Sequence, residues 1–177
     1  MALPGLLIEY LVSGAIALTW LLQLPALHDK LFGLPSAFLP VAFLLLYVVG
    51  MVVDFLAWNV TQYPKRWIRT LVYRRYRGSD AIDRESGTLR QARIALYAPD
   101  LAKELAMRSS RDRIARGCVV NSVLAGCFVL PWWVGVLVST FAIVIWASFE
   151  RLSYGYELCA EQLVTERLNR QAENSAA

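Results

Sequence analysis

Over residues 117–149 the chain runs for 33 residues without one charged side chain. Hydrocarbon about 30 Å thick takes roughly 20 mainly apolar helical residues to cross. The block is therefore too long for one comfortable span and slightly short for two. Pro131-Trp132-Trp133 sits near its middle, where a tight turn and an interfacial aromatic belt are expected. We read a hairpin of two helices, one continuing from Arg113 through Phe128 and one from Val134 past Glu150. A single long tilted helix is the weaker alternative.

Two further stretches share this character. Residues 4–24 are interrupted by Glu9 and Gln23, and residues 37–58 carry Asp54 as their only charge. The whole chain is 57% hydrophobic and 18% charged, whereas soluble domains average about 45–50% and roughly 25%. This excludes a disordered chain, a coiled coil and a disulfide scaffold. The expected fold class is an all-α integral membrane protein with four transmembrane helices arranged as two hairpins. The first hairpin covers 1–58 and the second 117–149. Between them lies a basic helical loop, 59–116, and after them a helical tail, 150–177, whose end from Gln171 is expected to be disordered.

The basic residues set the orientation. Of 18 Lys and Arg, 14 lie between residues 59 and 116, against six acids, while the turn over 25–36 carries only Lys30, with His28 and Asp29. Basic loops stay on the cytoplasmic side, so the loop and both termini are expected there. No basic residue precedes the first apolar run and no small-x-small site follows it, so a cleavable signal is not expected. Fifteen Arg to three Lys is the coding habit of a GC-rich bacterial genome, which points to a bacterial inner membrane. Cys118, Cys127 and Cys159 lack C-x-x-C spacing and read as small apolar fillers.

Within the loop, Tyr63-Pro64-Lys65 is expected to end one helix or open the next, because proline favours the first turn. Gly78-Ser79-Asp80 marks a break with an N-cap in place, and Ser86-Gly87-Thr88 marks a second break. Ala98-Pro99-Asp100 opens a helix that runs through Arg116 into the third span. The last helix extends beyond the fourth span, since Glu157, Leu158, Glu161 and Leu168 keep helical spacing.

Charges embedded near spans are costly unless paired or wet. Glu9, Asp54, Arg116, Asn121 and Glu150 form an expected intramembrane polar cluster at one depth on the cytoplasmic side. Its functional reading is a gate, or a site for a cation or proton. Its structural reading is neutralisation by Arg113, Arg116 and Arg151, which would pin the hairpins near the headgroups. Asn121 and Ser122, with Ser13, Gly14 and Gly50, read as the small and polar residues that let helices approach.

Lys65, Arg66, Trp67, Arg69, Arg74, Arg75 and Arg77 interleave cations with aromatic and aliphatic residues. Such a segment suits the anionic inner leaflet, each cation contributing about 1 kcal/mol. Stacking and phosphate contacts would also suit nucleic acid, but tethering to a membrane favours the lipid or a protein partner. With His28 the sole histidine and no P-loop, G-x-G-x-x-G or H-E-x-x-H, neither a catalytic residue, a cofactor nor a metal site is expected. The expected function is non-enzymatic: a homo-oligomeric, channel-like or membrane-acting effector whose loop receives a signal or partner. An accessory scaffold subunit of a larger membrane complex stands close behind. A small transporter using Glu9, Asp54 and Glu150 ranks third, because broken helices at the midplane are missing from the pattern.

Overall fold

The computed structural model describes residues 3–24, 39–78 and 86–176. The expected outer turn over 25–36, with His28, lies outside these residues. The described chain is all-helical, with five helices and no strand: α1 (Leu3–Leu21), α2 (Leu39–Arg77), α3 (Gly87–Tyr97), α4 (Pro99–Phe128) and α5 (Trp132–Ala176).

Local chemistry sets the helix ends. Gly78 has φ of 106°, a left-handed value that suits glycine, and its amide bonds Arg74 O at 3.0 Å to close α2. Ser86 caps α3 by accepting from the Leu89 amide. Pro99 occupies the first turn of α4 with Asp100 beside it, matching both the free N–H positions and the positive end of the helix dipole. The amides of Val129 and Leu130 both bond Ala125 O to close α4, and Gly135 N–H bonds Pro131 O as α5 begins. The expected turn at Pro131-Trp132-Trp133 is present.

Two expectations are corrected. Pro64 neither ends nor opens a helix, because α2 continues through it for all 39 residues. Proline has no N–H to offer Val60, its i−4 partner, and Val60 is well exposed. Gln171 does not begin a disordered end either, since α5 remains helical to Ala176.

α2 and α5 are long and apolar enough to cross a membrane, with mean hydropathy of 2.3 and 1.9 in their most apolar stretches. At 1.5 Å per residue they measure about 58 and 68 Å, roughly twice a hydrocarbon core. They are not buried core helices, for only 17% and 11% of those stretches are covered by the rest of the chain. The apolar part of α1, Leu7–Leu21, is shorter. The uncharged part of α4 is only 117–128, because its first half is polar. Four spans are thus more than the helix lengths alone establish.

The chain divides into two compact units, to which α2, α4 and α5 each contribute. The first comprises Met1–Tyr63 and Ser110–Ala147, the second Pro64–Ser109 and Ser148–Ala177. Unit 1 hides its small and polar residues, among them Glu9, Ser13, Ala17, Ala57, Arg116 and Asn121, and exposes Phe43, Leu44, Phe55, Leu137 and Phe141. Its helices meet at small residues: a Cβ on Gly14 would strike the Leu46 carbonyl, and one on Gly50 the Tyr10 carbonyl. Tyr10 and Tyr47 pack edge to face at 5.5 Å beside this crossing. Unit 2 buries two apolar clusters. One joins Ile94 and Ala98 to Ala160 and Val164, and the other joins Val72 to Tyr154 and Leu158.

Because the obstacle at Gly50 is backbone, Gly50→Ala is expected to force α1 and α2 apart. The cost is about 1–3 kcal/mol, read as a lowered unfolding midpoint of the full chain in mild detergent. Leu45→Ala, on the exposed side, shifts it by less than about 0.5 kcal/mol. An unchanged midpoint for Gly50→Ala contradicts the close crossing.

Candidate functional site

Unit 1 collects its charges at three helices. Asp112 of α4 accepts a hydrogen bond from Trp146 Nε1 at 3.1 Å, and both side chains are buried. Arg116, one turn further along α4, lies 3.6 Å from Asp112 and 3.8 Å from Asp54 of α2. Arg113 donates from Nη1 to Glu9 Oε2 of α1 at 3.2 Å. Asn121, almost fully buried, donates to Ser13 O and accepts from Trp20 Nε1, which ties α4 to α1 a second time. Ser122 bonds back to Cys118 O within its own helix.

Glu150 stands apart from the other four residues of the expected cluster. It belongs to unit 2, where it meets Lys65 Nζ at 2.9 Å and Arg69 Nε at 2.6 Å. The physical reason is the pitch of α2, which places these two cations one turn apart on the face packed against α5. Arg151, expected as a neutralising partner, is exposed instead.

α5 carries three buried or half-buried acids of unit 2 in one row: Glu150, then Glu157 and Glu161 at i+7 and i+11, with Tyr154 between the first two. Arg90 of α3, only 2% exposed, lies 3.5 Å from Glu157 and 3.1 Å from Glu161. Arg77 of α2 reaches Glu161 at 3.5 Å. The Arg69 and Arg90 guanidiniums sit 4.9 and 5.8 Å from the centre of the Tyr154 ring, within cation–π range.

The pKa values follow from this geometry. For Glu150, burial acts to raise the pKa, but Arg69 and Lys65 outweigh it and hold the carboxyl below the usual range. Burial likewise opposes the charge on Arg69, which Glu150 offsets, leaving its pKa above the ordinary value. Glu157 moves the other way. Burial pushes it up, Arg69 and Arg90 only partly counter that, and Glu150 adds to the rise.

The basic segment turns out to have two faces. Lys65, Arg69 and Arg77 are drawn to acids of α5, whereas Arg66, Trp67, Arg74 and Arg75 face outward. Trp67 is 67% exposed, and Leu71, one turn on, is also exposed. The outward face is therefore amphipathic, an apolar strip flanked by arginines.

Sequence reasoning missed Asp112, Trp146, Arg90 and Tyr154 as parts of the polar sites. Asp112 carried a usable signal, standing four residues before Arg116. Arg90 carried none, because its acids lie more than 60 residues away. Among the described residues no group of three or more His, Cys, Asp or Glu is placed to hold a metal ion. No family model matches the chain, nor does any curated protein or solved structure.

Removing one partner of a buried pair leaves the other stranded, at a cost of about 3–5 kcal/mol. Arg90→Met is expected to show that loss in detergent unfolding, while Arg77→Ala, from a more exposed pair, loses less than about 1 kcal/mol. Comparable losses for the two variants contradict a buried Arg90 seam. The acids have opposite pH signatures. Glu150 contributes stability above the ordinary carboxylate range and loses it as pH falls through its lowered value. Glu157 binds its proton more tightly when folded, so its contribution is present in acid and fades as pH rises above that range. Stability against pH for Glu150→Gln should lack the acid-side loss, and Glu157→Gln should lack the decline on the other side. Identical profiles for both variants contradict the assignment.

Proposed function

We propose that this chain is a non-enzymatic multi-pass protein of the bacterial inner membrane, acting as an accessory subunit of a larger membrane assembly. In this reading four helices span as two hairpins, both termini are cytoplasmic, and unit 2 is a cytoplasmic docking module. The observation that carries it is the pairing of the embedded acids: Glu9, Asp54 and Asp112 each meet an arginine, while the apolar side chains of the same unit face outward. Acids held this way fasten helices together, and outward apolar faces need lipid or other membrane helices as neighbours. Four spans are supported by the packing of α1 and the apolar part of α4 into one unit with the apolar lengths of α2 and α5. The outward face of α2, with Trp67 and Leu71 among arginines, suits the anionic inner leaflet.

One observation favours the second reading, a homo-oligomeric channel-like or membrane-acting effector. Among the described residues, the ion pairs of unit 1 set three carboxylates, Glu9, Asp54 and Asp112, against two guanidiniums, Arg113 and Arg116. The excess negative charge would attract a cation or proton.

Purification of the full chain from native membranes in mild detergent separates the two readings. The accessory reading predicts a different membrane protein co-purifying at a fixed ratio. A closed ring of this chain alone, conducting ions in planar bilayers and silenced by Asp54→Asn, overturns it in favour of the channel.

A further inference from the structure

Unit 2 carries a concavity of about 770 Å³ between α2, α4 and α5, within the ordinary size range of small-ligand sites. Its charged lining is Arg75, Arg108 and Arg151, without a carboxylate. Arg108 is anchored, its Nε 3.1 Å from Glu104 and its guanidinium 4.3 Å from the Tyr156 ring centre. Arg75 and Arg151 have no ion-pair partner among the described residues and stand exposed at the rim. Tyr76 and Tyr156 supply aromatic walls, Val72 and Leu152 an aliphatic one. Gly155 keeps the α5 surface low, so that the Tyr76 hydroxyl lies over it; a Cβ there would come within 3.2 Å of that oxygen.

We propose that this groove binds a phosphate-bearing anion through Arg75, Arg108 and Arg151, with its organic part against the tyrosines. Arg108 is already paired with Glu104, but Arg75 and Arg151 line the groove with no ion-pair partner among the described residues, and a bound anion supplies the missing counter-charge. The planar fork of arginine matches phosphate oxygens two at a time. Arg75 lies on the same stretch of α2 as the outward Trp67 and Leu71, so the phosphate of an anionic phospholipid and that of a soluble phosphate compound offer the groove the same anionic oxygens. The site stands on the geometry of unit 2 and is independent of how many helices cross a membrane.

Cys159 is a free, half-buried thiol lining the groove, and it reports occupancy. The full chain in neutral detergent is alkylated with iodoacetamide, and the rates at Cys159 and Cys127 are followed by mass spectrometry of their peptides. Phosphatidylglycerol in the micelles, phosphatidylcholine in the micelles, and inorganic pyrophosphate added to phosphatidylcholine micelles form the three arms. Slowing at Cys159 but not Cys127 by phosphatidylglycerol alone assigns the phosphate to lipid, and slowing by pyrophosphate assigns it to a soluble compound. Either result upholds the site. Two arginines at about 1 kcal/mol each mean that Arg75→Gln with Arg151→Gln raises the half-protecting concentration about thirtyfold. Arg167→Gln with Arg170→Gln, exposed towards the end of α5 and outside the groove, leaves it unchanged. No protection by either probe, or an equal shift in both double variants, overturns the proposal.

Discussion

A charge withdrawn from water must meet its opposite, and in this chain that requirement sets which helices face each other. The row Glu150, Glu157 and Glu161 on α5 draws Lys65, Arg69 and Arg77 from α2 and Arg90 from α3. Apolar contacts around Tyr154 and Ile94 would tolerate a shifted packing, since oily surfaces are not directional. The ion pairs are not tolerant in this way, because any slip strands a buried charge. We regard this row as the element that fixes the register of unit 2.

Unit 1 obeys the same constraint with its polarity reversed. Its interior holds Asp112, Arg116, Asn121, Trp146 and small residues, and its surface holds phenylalanine and leucine. A water-soluble bundle that exposed so much apolar surface would associate without limit. In hydrocarbon the same surface is ordinary, and the polar interior supplies the directional contacts that hold helices together. The close crossing of α1 and α2 at Gly14 and Gly50 belongs to the same logic, since packing without a hydrophobic drive requires near contact.

Much of the helix plan was legible in the sequence, because the signals were local. The uncharged block 117–149, the proline turn at its middle, and the starts at Ser86 and Pro99 all depend on neighbours a few residues away. Pro64 misled, since a proline whose i−4 residue, Val60, is exposed can be absorbed within a long helix. The pairing of acids with bases was only half legible. Arg113 and Arg116 stand out in the sequence as bases near the ends of apolar runs that carry lone acids, and the structure pairs them with Glu9 and Asp54. The partnership of Glu150 with Lys65 and Arg69 depends on how α2 meets α5, which no local spacing encodes. The groove lined by Arg75, Arg108 and Arg151 was hidden for the same reason, being assembled from three helices.

The central claim is that the apolar exterior of unit 1 is made for hydrocarbon. Alkaline carbonate extraction of membranes from cells making the full chain tests it most directly. Retention in the membrane pellet, with release only by detergent, is the result this account predicts. Recovery in the aqueous supernatant as a dispersed protein would contradict it.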